Sequence, residues 1–304
     1  MTCNDIIANL KGIFSPVVTP FNRRGGVDFG KFRAYVNRLT GAGLGGILVA
    51  GSTGEAPYLT EGERLRLVEV ARRLVRPPEV LMVGTGLEGT GATLRLSREV
   101  IARGTDVVLV VTPNYYKSRM DGDALVAHYR AVAAGVRRPV LVYSIPQFTG
   151  IRMAPETIGR LSRLPNVAGL KESSGDLSFV LAVLKQVRPG FRVLVGSVSI
   201  LLEALQAGAV GAVLSQANFV PELCAGVYES FRRGQLKTAQ KLQQRLLPLA
   251  RQIAVPYGVP GIKAAVDLCG FHAGPPRPPL LPVSAAVRRE IAAVLRACRA
   301  GLDF

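Results

Sequence analysis

Short apolar runs alternate with amphipathic stretches along most of the chain. Residues 13–20 (IFSPVVTP) form a strand-like run closed by proline. Asp28 then stands where it can cap a helix whose apolar positions, Phe32, Tyr35, Val36 and Leu39, recur three to four apart. Glycines at 41–46 end that helix, and Ile47-Leu48-Val49-Ala50 reads as the next strand, leaving through Gly51-Ser52-Thr53-Gly54-Glu55. Thr60 opens a helix with Glu63 placed for a capping box, and Leu65, Val68, Leu74 and Val75 are its expected apolar face. The alternation then repeats. Strands are expected at 80–83, 107–111, 140–143, 167–171, 193–195 and 211–214, with helices between them around Leu94 to Val100, 125–136, 155–164, 177–187 and 201–206.

Continuous apolar strands suit a parallel sheet covered on both faces. Strands alternating with helices form right-handed βαβ units. Eight units in about 230 residues match a (β/α)8 TIM barrel, with a doubly wound open sheet as the runner-up. After Asn218 no strand-like run appears. Helices are expected at 221–233, 235–253, 260–268 and 284–299, a C-terminal α-helical extension. The Pro275-Pro276-Arg277-Pro278-Pro279 run before the last helix reads as a stiff ordered segment. The expected organisation is therefore 1–218 for the barrel strands and catalytic face. Residues 219–304 supply the last barrel helix and the extension.

Composition narrows this picture. The 304 residues are 48% hydrophobic, enough for a large core. The net charge of +17 raises nucleic acid, anionic membranes and acidic small substrates as partners. The basic residues are mostly arginines scattered singly or in pairs (Arg64, Arg66, Arg72, Arg73; Arg232, Arg233; Arg288, Arg289), with no long basic run and no interleaved aromatics. They read as a solvated surface, and no nucleic-acid partner is expected. Cys3, Cys224, Cys269, Cys298, His128 and His272 show neither zinc spacing nor a disulfide framework. No metal is expected, and Glu55, Glu172 and Asp176 have no histidines beside them. No signal-like leader and no run of membrane-spanning length is visible, so a cytoplasmic protein with no membrane partner is expected.

The candidate chemistry lies at the strand exits, which share one rim in such a barrel. Lys171 follows the apolar run Val167 to Leu170 and precedes the polar turn Glu172-Ser173-Ser174-Gly175-Asp176. A lysine led in by core residues stands at a pocket rim or points to water. A desolvated amine becomes a nucleophile for carbonyls. Ser52 and Thr53 after the second strand, Tyr115 after the fourth and Tyr143 at the fifth converge with it. Each alone has an ordinary reading as a turn residue, a loop aromatic or a core tyrosine, but together they outline a site. Gly84-Thr85-Gly86 lacks the ending of a phosphate loop and reads as a tight turn.

At these residues the chain resembles the dihydrodipicolinate synthase/N-acetylneuraminate lyase family of pyruvate-dependent class I aldolases. The motifs are Gly51-Ser52-Thr53-Gly54-Glu55, Thr112-Pro113-Asn114-Tyr115-Tyr116, Tyr143-Ser144-Ile145-Pro146 and Gly169-Leu170-Lys171-Glu172-Ser173-Ser174-Gly175-Asp176. Within the family, Tyr115-Tyr116-Lys117-Ser118-Arg119-Met120, Tyr143-Ser144-Ile145-Pro146 and Gln240-Lys241-Leu242-Gln243-Gln244-Arg245-Leu246 look closest to 4-hydroxy-2-oxoglutarate aldolases, and Val259-Pro260-Gly261-Ile262-Lys263 also fits.

The resemblance implies that Lys171 forms a Schiff base with the C2 carbonyl of a 2-oxo acid, and that Tyr143 shuttles protons. It implies that Ser52, Thr53 and Gly54 hold the substrate carboxylate, with Ser52 also in the proton relay. Ser173 is implied to contact the distal part of the substrate. Tyr115 is implied to come from a neighbouring subunit, hence a homodimer or tetramer. No cofactor is implied, because the lysine is the electron sink.

Family members that condense pyruvate with aspartate semialdehyde usually carry an arginine two residues after the proline of the Tyr143 motif, a bidentate carboxylate clamp. Phe148 stands there, with Arg152 as a substitute candidate. The expected activity is cleavage of a 4-hydroxy-2-oxo acid, 4-hydroxy-2-oxoglutarate first, to pyruvate and an aldehyde. The alternatives are dihydrodipicolinate synthase, a 2-keto-3-deoxy sugar acid aldolase and, outside enzymes, a basic nucleic-acid-binding protein.

Overall fold

The computed structural model describes residues 1–299; the end of the expected extension, 300–304, lies outside the described residues. Eight parallel strands close into a barrel in chain order: β1 (Gly12–Pro16), β2 (Gly46–Val49), β3 (Val80–Gly84), β4 (Val107–Val111), β5 (Val140–Ser144), β6 (Val167–Glu172), β7 (Arg192–Val195) and β8 (Gly211–Val213). The seam is the β1–β8 pair, which aligns Ile13 with Ala212. This is the expected (β/α)8 TIM barrel, and it excludes the open sheet.

The helices between strands are α2 (Phe29–Leu39), α3 (Glu61–Arg72), α4 (Thr90–Ala102), α5 (Gly122–Ala134), the one-turn α6 (Pro146–Thr149), α7 (Pro155–Ser162), α8 (Leu177–Gln186) and α9 (Leu201–Gln206). Asp28 caps α2, and Thr60 with Glu63 forms the capping box of α3. Ahead of β1 lies α1 (Cys3–Asn9), which apolar periodicity did not suggest because Ile6 is its one buried residue. Ile6 and the adjoining Leu10 join an inner core with Phe14, Leu48, Met82, Leu109, Leu141 and Leu194. The alternate strand residues, including Ile47, Val49, Val108, Val110 and Val193, face the helices in a second, larger core. The pleat thus sorts one apolar run onto two buried faces.

Two expectations on α3 need correction. Its buried face is Leu67, Val68 and Ala71, joined by Arg64, while Leu65 is only half-buried. Arg64 and Arg72 are not solvated surface. Arg64 is buried and donates to the Gly84 and Ala56 carbonyls, and Arg72 pairs with Asp106 at 2.8 Å. Arg64 reaches the carbonyl at the end of β3, and Arg72 reaches loop carbonyls beside the Asp106 carboxylate; these acceptors satisfy a guanidinium as water would.

After β8 come α10 (Pro221–Arg232), α11 (Leu236–Leu249), α12 (Val255–Leu268) and α13 (Ala285–Arg299). The helix expected over 235–253 turns π-helical at Ala250–Ala254. Next, α12 starts earlier than expected and breaks at Gly258 (φ 51°, ψ −140°). Pro260, two residues on, lacks the N–H that a continuous helix would use there. Among the described residues no helix is long and apolar enough to cross a membrane.

Candidate functional site

β5 and β6 run side by side and align Tyr143 with Lys171. The Lys171 Nζ lies 4.0 Å from the centre of the Tyr143 ring. Both side chains are almost fully buried, at 5% and 4% exposure. Their common inward direction depends on a register shift lower in the pair. Val140 aligns with Val167, but Leu141 aligns with Gly169, so Ala168 is an extra residue. The outward Leu170 and inward Lys171 follow from that bulge; without it the amine would turn toward the helices. The bulge requires glycine. A Cβ on Gly169 would strike the Arg192 carbonyl and approach Leu141 Cδ2 to 2.8 Å.

The turn after β2 supplies the next group. The Ser52 hydroxyl is 3.4 Å from the Tyr143 hydroxyl. Within the turn, Gly54, Glu55 and Ala56 donate their N–H groups to the Gly51 and Ser52 carbonyls. Among the described residues, those of Ser52 and Thr53 are left unused, two donors free for an anion. The turn is bracketed by Ala50 (φ 51°) and Glu55 (φ 58°), non-glycine residues in the left-handed region. Each costs roughly 1–3 kcal/mol and persists only where its surroundings enforce it.

A cavity of about 680 Å³ opens over this corner, lined by Ser52, Tyr143, Glu88, Asn114, Phe148 and Tyr257 among others. Lys171, Thr53 and Ser173 are not part of its lining; the Lys171 amine is against the ring of Tyr143, which is part of it. Ser173 packs against Gly196, and its carbonyl accepts a 2.6 Å bond from Gln147 Nε2. Gly54 is buried beneath the turn and lends its carbonyl to the Thr19 hydroxyl. Tyr115 is 77% exposed and does not line the cavity, although Glu88, which does, accepts its N–H at 2.9 Å. The structure therefore brings Lys171, Tyr143 and Ser52 together, sets Thr53 beside them, and leaves Tyr115 outside.

Several neighbours take places other than those the sequence reading gave them. Arg64 lines the cavity, and burial pushes its guanidinium down to about 10. Glu172 follows Lys171 on the opposite face of β6, where burial raises its carboxyl above the usual range. It accepts from the Ser174 N–H and hydroxyl. Glu55, weighed as a metal ligand, instead pairs with Lys263 at 2.8 Å. Arg152 turns to Asp176 at 3.4 Å and lies outside the cavity lining.

The closed barrel and the family match together place the chain among a class of lyases, the pyruvate-dependent class I aldolases. The model of the Dihydrodipicolinate synthetase family matches residues 9–298, and the chain belongs to that family. It is 33% identical over 279 residues to 4-hydroxy-tetrahydrodipicolinate synthase 2 of Halalkalibacterium halodurans, covering 92% of this chain and 95% of that one. It is 35% identical over 288 residues to a 4-hydroxy-tetrahydrodipicolinate synthase of a Synechococcus species, covering 94% and 95%.

Among solved structures, YagE, an E. coli prophage protein of the dihydrodipicolinic acid synthase family in complex with pyruvate, superposes with a TM-score of 0.89. It shares 27% identity, over 95% of this chain and 98% of that one. A monomeric dihydrodipicolinate synthase variant gives 0.90 at 29% identity, over 97% and 98%. The relatives' names carry the synthase activity, so a specific closeness to 4-hydroxy-2-oxoglutarate aldolase is not among the findings.

Proposed function

We propose that the chain forms an imine between Lys171 and a 2-oxo acid and cleaves a 4-hydroxy-2-oxo acid, 4-hydroxy-2-oxoglutarate foremost, to pyruvate and an aldehyde. The observation that carries this reading is the aligned Tyr143–Lys171 pair, with the Ser52 hydroxyl 3.4 Å from the phenol. The Nζ lone pair adds to C2 of the substrate, water leaves, and the protonated imine becomes an electron sink. Tyr143 takes the proton of the C4 hydroxyl as the C3–C4 bond breaks and the aldehyde departs. The enamine is protonated at C3, and hydrolysis of the imine frees pyruvate and Lys171. The unused N–H groups of Ser52 and Thr53 hold the substrate carboxylate, and Ser52 relays the phenol's proton. Ser173 contacts the distal end. Tyr115, exposed in its own chain, completes the relay of a neighbouring copy in a homodimer or tetramer.

The names of the relatives favour a second reading, condensation of pyruvate with aspartate semialdehyde. Both readings share the imine and differ at the far end of the site. There Phe148 lines the cavity and Arg152 is paired to Asp176, so neither offers a free guanidinium to the second carboxylate. That removes the usual clamp of the synthase, but 4-hydroxy-2-oxoglutarate carries a far carboxylate of its own, so kinetics separates the two readings. The deciding experiment measures pyruvate release from a panel of 4-hydroxy-2-oxo acids, beside consumption of aspartate semialdehyde with pyruvate, with Lys171→Ala as control. Lysine-dependent release from 4-hydroxy-2-oxoglutarate supports the proposal. Saturable turnover of aspartate semialdehyde alone assigns the synthase activity instead. Failure of borohydride to trap pyruvate on the folded protein would sink both.

A further inference from the structure

The turn that carries Ser52 and Thr53 ends in Glu55, whose carboxylate is fully buried. A carboxylate taken out of water needs partners, and both of its oxygens find them in the segment after the barrel. Lys263 Nζ donates to Oε1 at 2.8 Å, and the Arg277 backbone N–H donates to Oε2 at 2.7 Å. Lys263 is itself 1% exposed. Its other two donors go to the Thr19 and Pro275 carbonyls, each at 2.8 Å, so the ammonium is saturated. Thr19 in turn donates its hydroxyl to the Gly54 carbonyl at 2.7 Å. The Phe21 ring meets two cations, with Lys263 Nζ 4.5 Å and the Arg277 guanidinium 4.2 Å from its centre. The turn is thus held at Gly54 by Thr19 and at Glu55 by Lys263, and Lys263 also holds Thr19.

Such an arrangement is poor value as a stabiliser, since a well-packed apolar pair often serves a core as well or better. An apolar pair would not, however, tie Glu55 in its left-handed conformation or set the direction of the two unused N–H groups that precede it. We propose that Lys263 is a positioning residue for substrate binding. Acting through Glu55 and Thr19, it fixes the Ser52–Thr53 turn in the shape that receives the carboxylate of the 2-oxo acid. This inference rests on the carboxylate-holding role of that turn.

The test titrates pyruvate into borohydride trapping, reading the half-saturating concentration and the maximal trapped fraction, alongside thermal unfolding. Thr19→Val and Glu55→Gln should raise the half-saturating pyruvate about tenfold, the loss of one or two hydrogen bonds' worth of alignment, with the maximal trapped fraction kept. Thr19→Ser, which keeps the hydroxyl, should restore wild-type half-saturation. Lys263→Met should show the larger shift where it folds; where it does not, Thr19→Val decides, because it leaves every charge in place. Wild-type half-saturation in folded Thr19→Val and Glu55→Gln, with only the melting temperature lowered, would overturn the positioning role. A wild-type protein that traps no pyruvate at any concentration would instead remove the Schiff-base reading beneath it.

Discussion

Tyr143 and Lys171 face each other across β5 and β6, and the amine sits 4.0 Å from the centre of the phenol ring. The contact separates two roles that mutation can tell apart. Tyr143→Phe keeps the ring against the amine and removes only the hydroxyl shared with Ser52. Turnover should fall about 10²- to 10⁴-fold, the usual worth of a placed acid–base group, while pyruvate remains trappable on the amine. Lys171→Ala should lose both. Equal loss of trapping in the two variants, measured by intact mass after borohydride, would contradict this division.

The bulge at Ala168 makes a second, independent prediction. Gly169→Ala places a methyl against the Arg192 carbonyl and Leu141 Cδ2. Overpacking of this kind costs roughly 1–3 kcal/mol, and relief by straightening the strand would turn Lys171 outward. Urea unfolding should show the destabilisation, and the trapped fraction at saturating pyruvate should drop. Wild-type values for both would mean that the bulge does not aim the lysine.

Phe148 is two-thirds exposed at the cavity edge, on the one-turn α6. Phe148→Arg offers a guanidinium to a second carboxylate. A charge-assisted pair contributes about 1.5–3 kcal/mol, so kcat/KM for aspartate semialdehyde with pyruvate should rise at least tenfold. Steady-state kinetics on both substrate pairs checks this. No gain with aspartate semialdehyde would show that position 148 does not govern the choice of aldehyde.

Removing one partner of the buried Lys263–Glu55 pair strands the other charge. Lys263→Met should therefore destabilise the fold by about 3–5 kcal/mol, and Lys263→Met combined with Glu55→Leu should recover much of that loss. Denaturant titration of the single and double variants reads the difference. Additive loss in the double variant would argue that packing, not stranded charge, dominates this corner.

The strands and most helices were legible because each apolar run is short, nearly unbroken and closed by turn residues. β4 at Val107–Val111 and α9 at Leu201–Gln206 fall where the pattern placed them. Lys171, Tyr143 and Ser52 were legible for the same reason, as polar groups at the exits of apolar runs. The direction in which Lys171 faces was not, because it depends on one extra residue in a cross-strand register. Arg64 looked like surface because periodicity cannot see the carbonyls waiting for its guanidinium. The partner of Glu55 lies 208 residues away, a separation that no local pattern reports.

His128 makes stability depend on pH in a calculable direction. The imidazole is buried on α5, with Nδ1 2.9 Å from the Thr90 hydroxyl and Nε2 without a partner among the described residues. Burial lowers its pKa below the ordinary value, and the nearby Glu88 only partly opposes this. An unfolded chain takes up the proton near pH 6.5, while the folded protein resists it. Between the two values the unfolded state binds more protons, so stability rises with pH. It is fully present above about pH 6.5 and is lost as pH falls toward the depressed folded value. The raised carboxyl of Glu172 works in the opposite sense, with its contribution lost as pH rises through its folded value. The wild-type curve alone therefore mixes the two. His128→Phe keeps an aromatic ring edge-on to Tyr129, 5.2 Å away in the native pair, and removes the titration together with the pH-independent contact to Thr90. Melting temperatures from pH 7.5 to 5.5 should fall less steeply in His128→Phe than in the wild type. Parallel curves would place the acid sensitivity elsewhere.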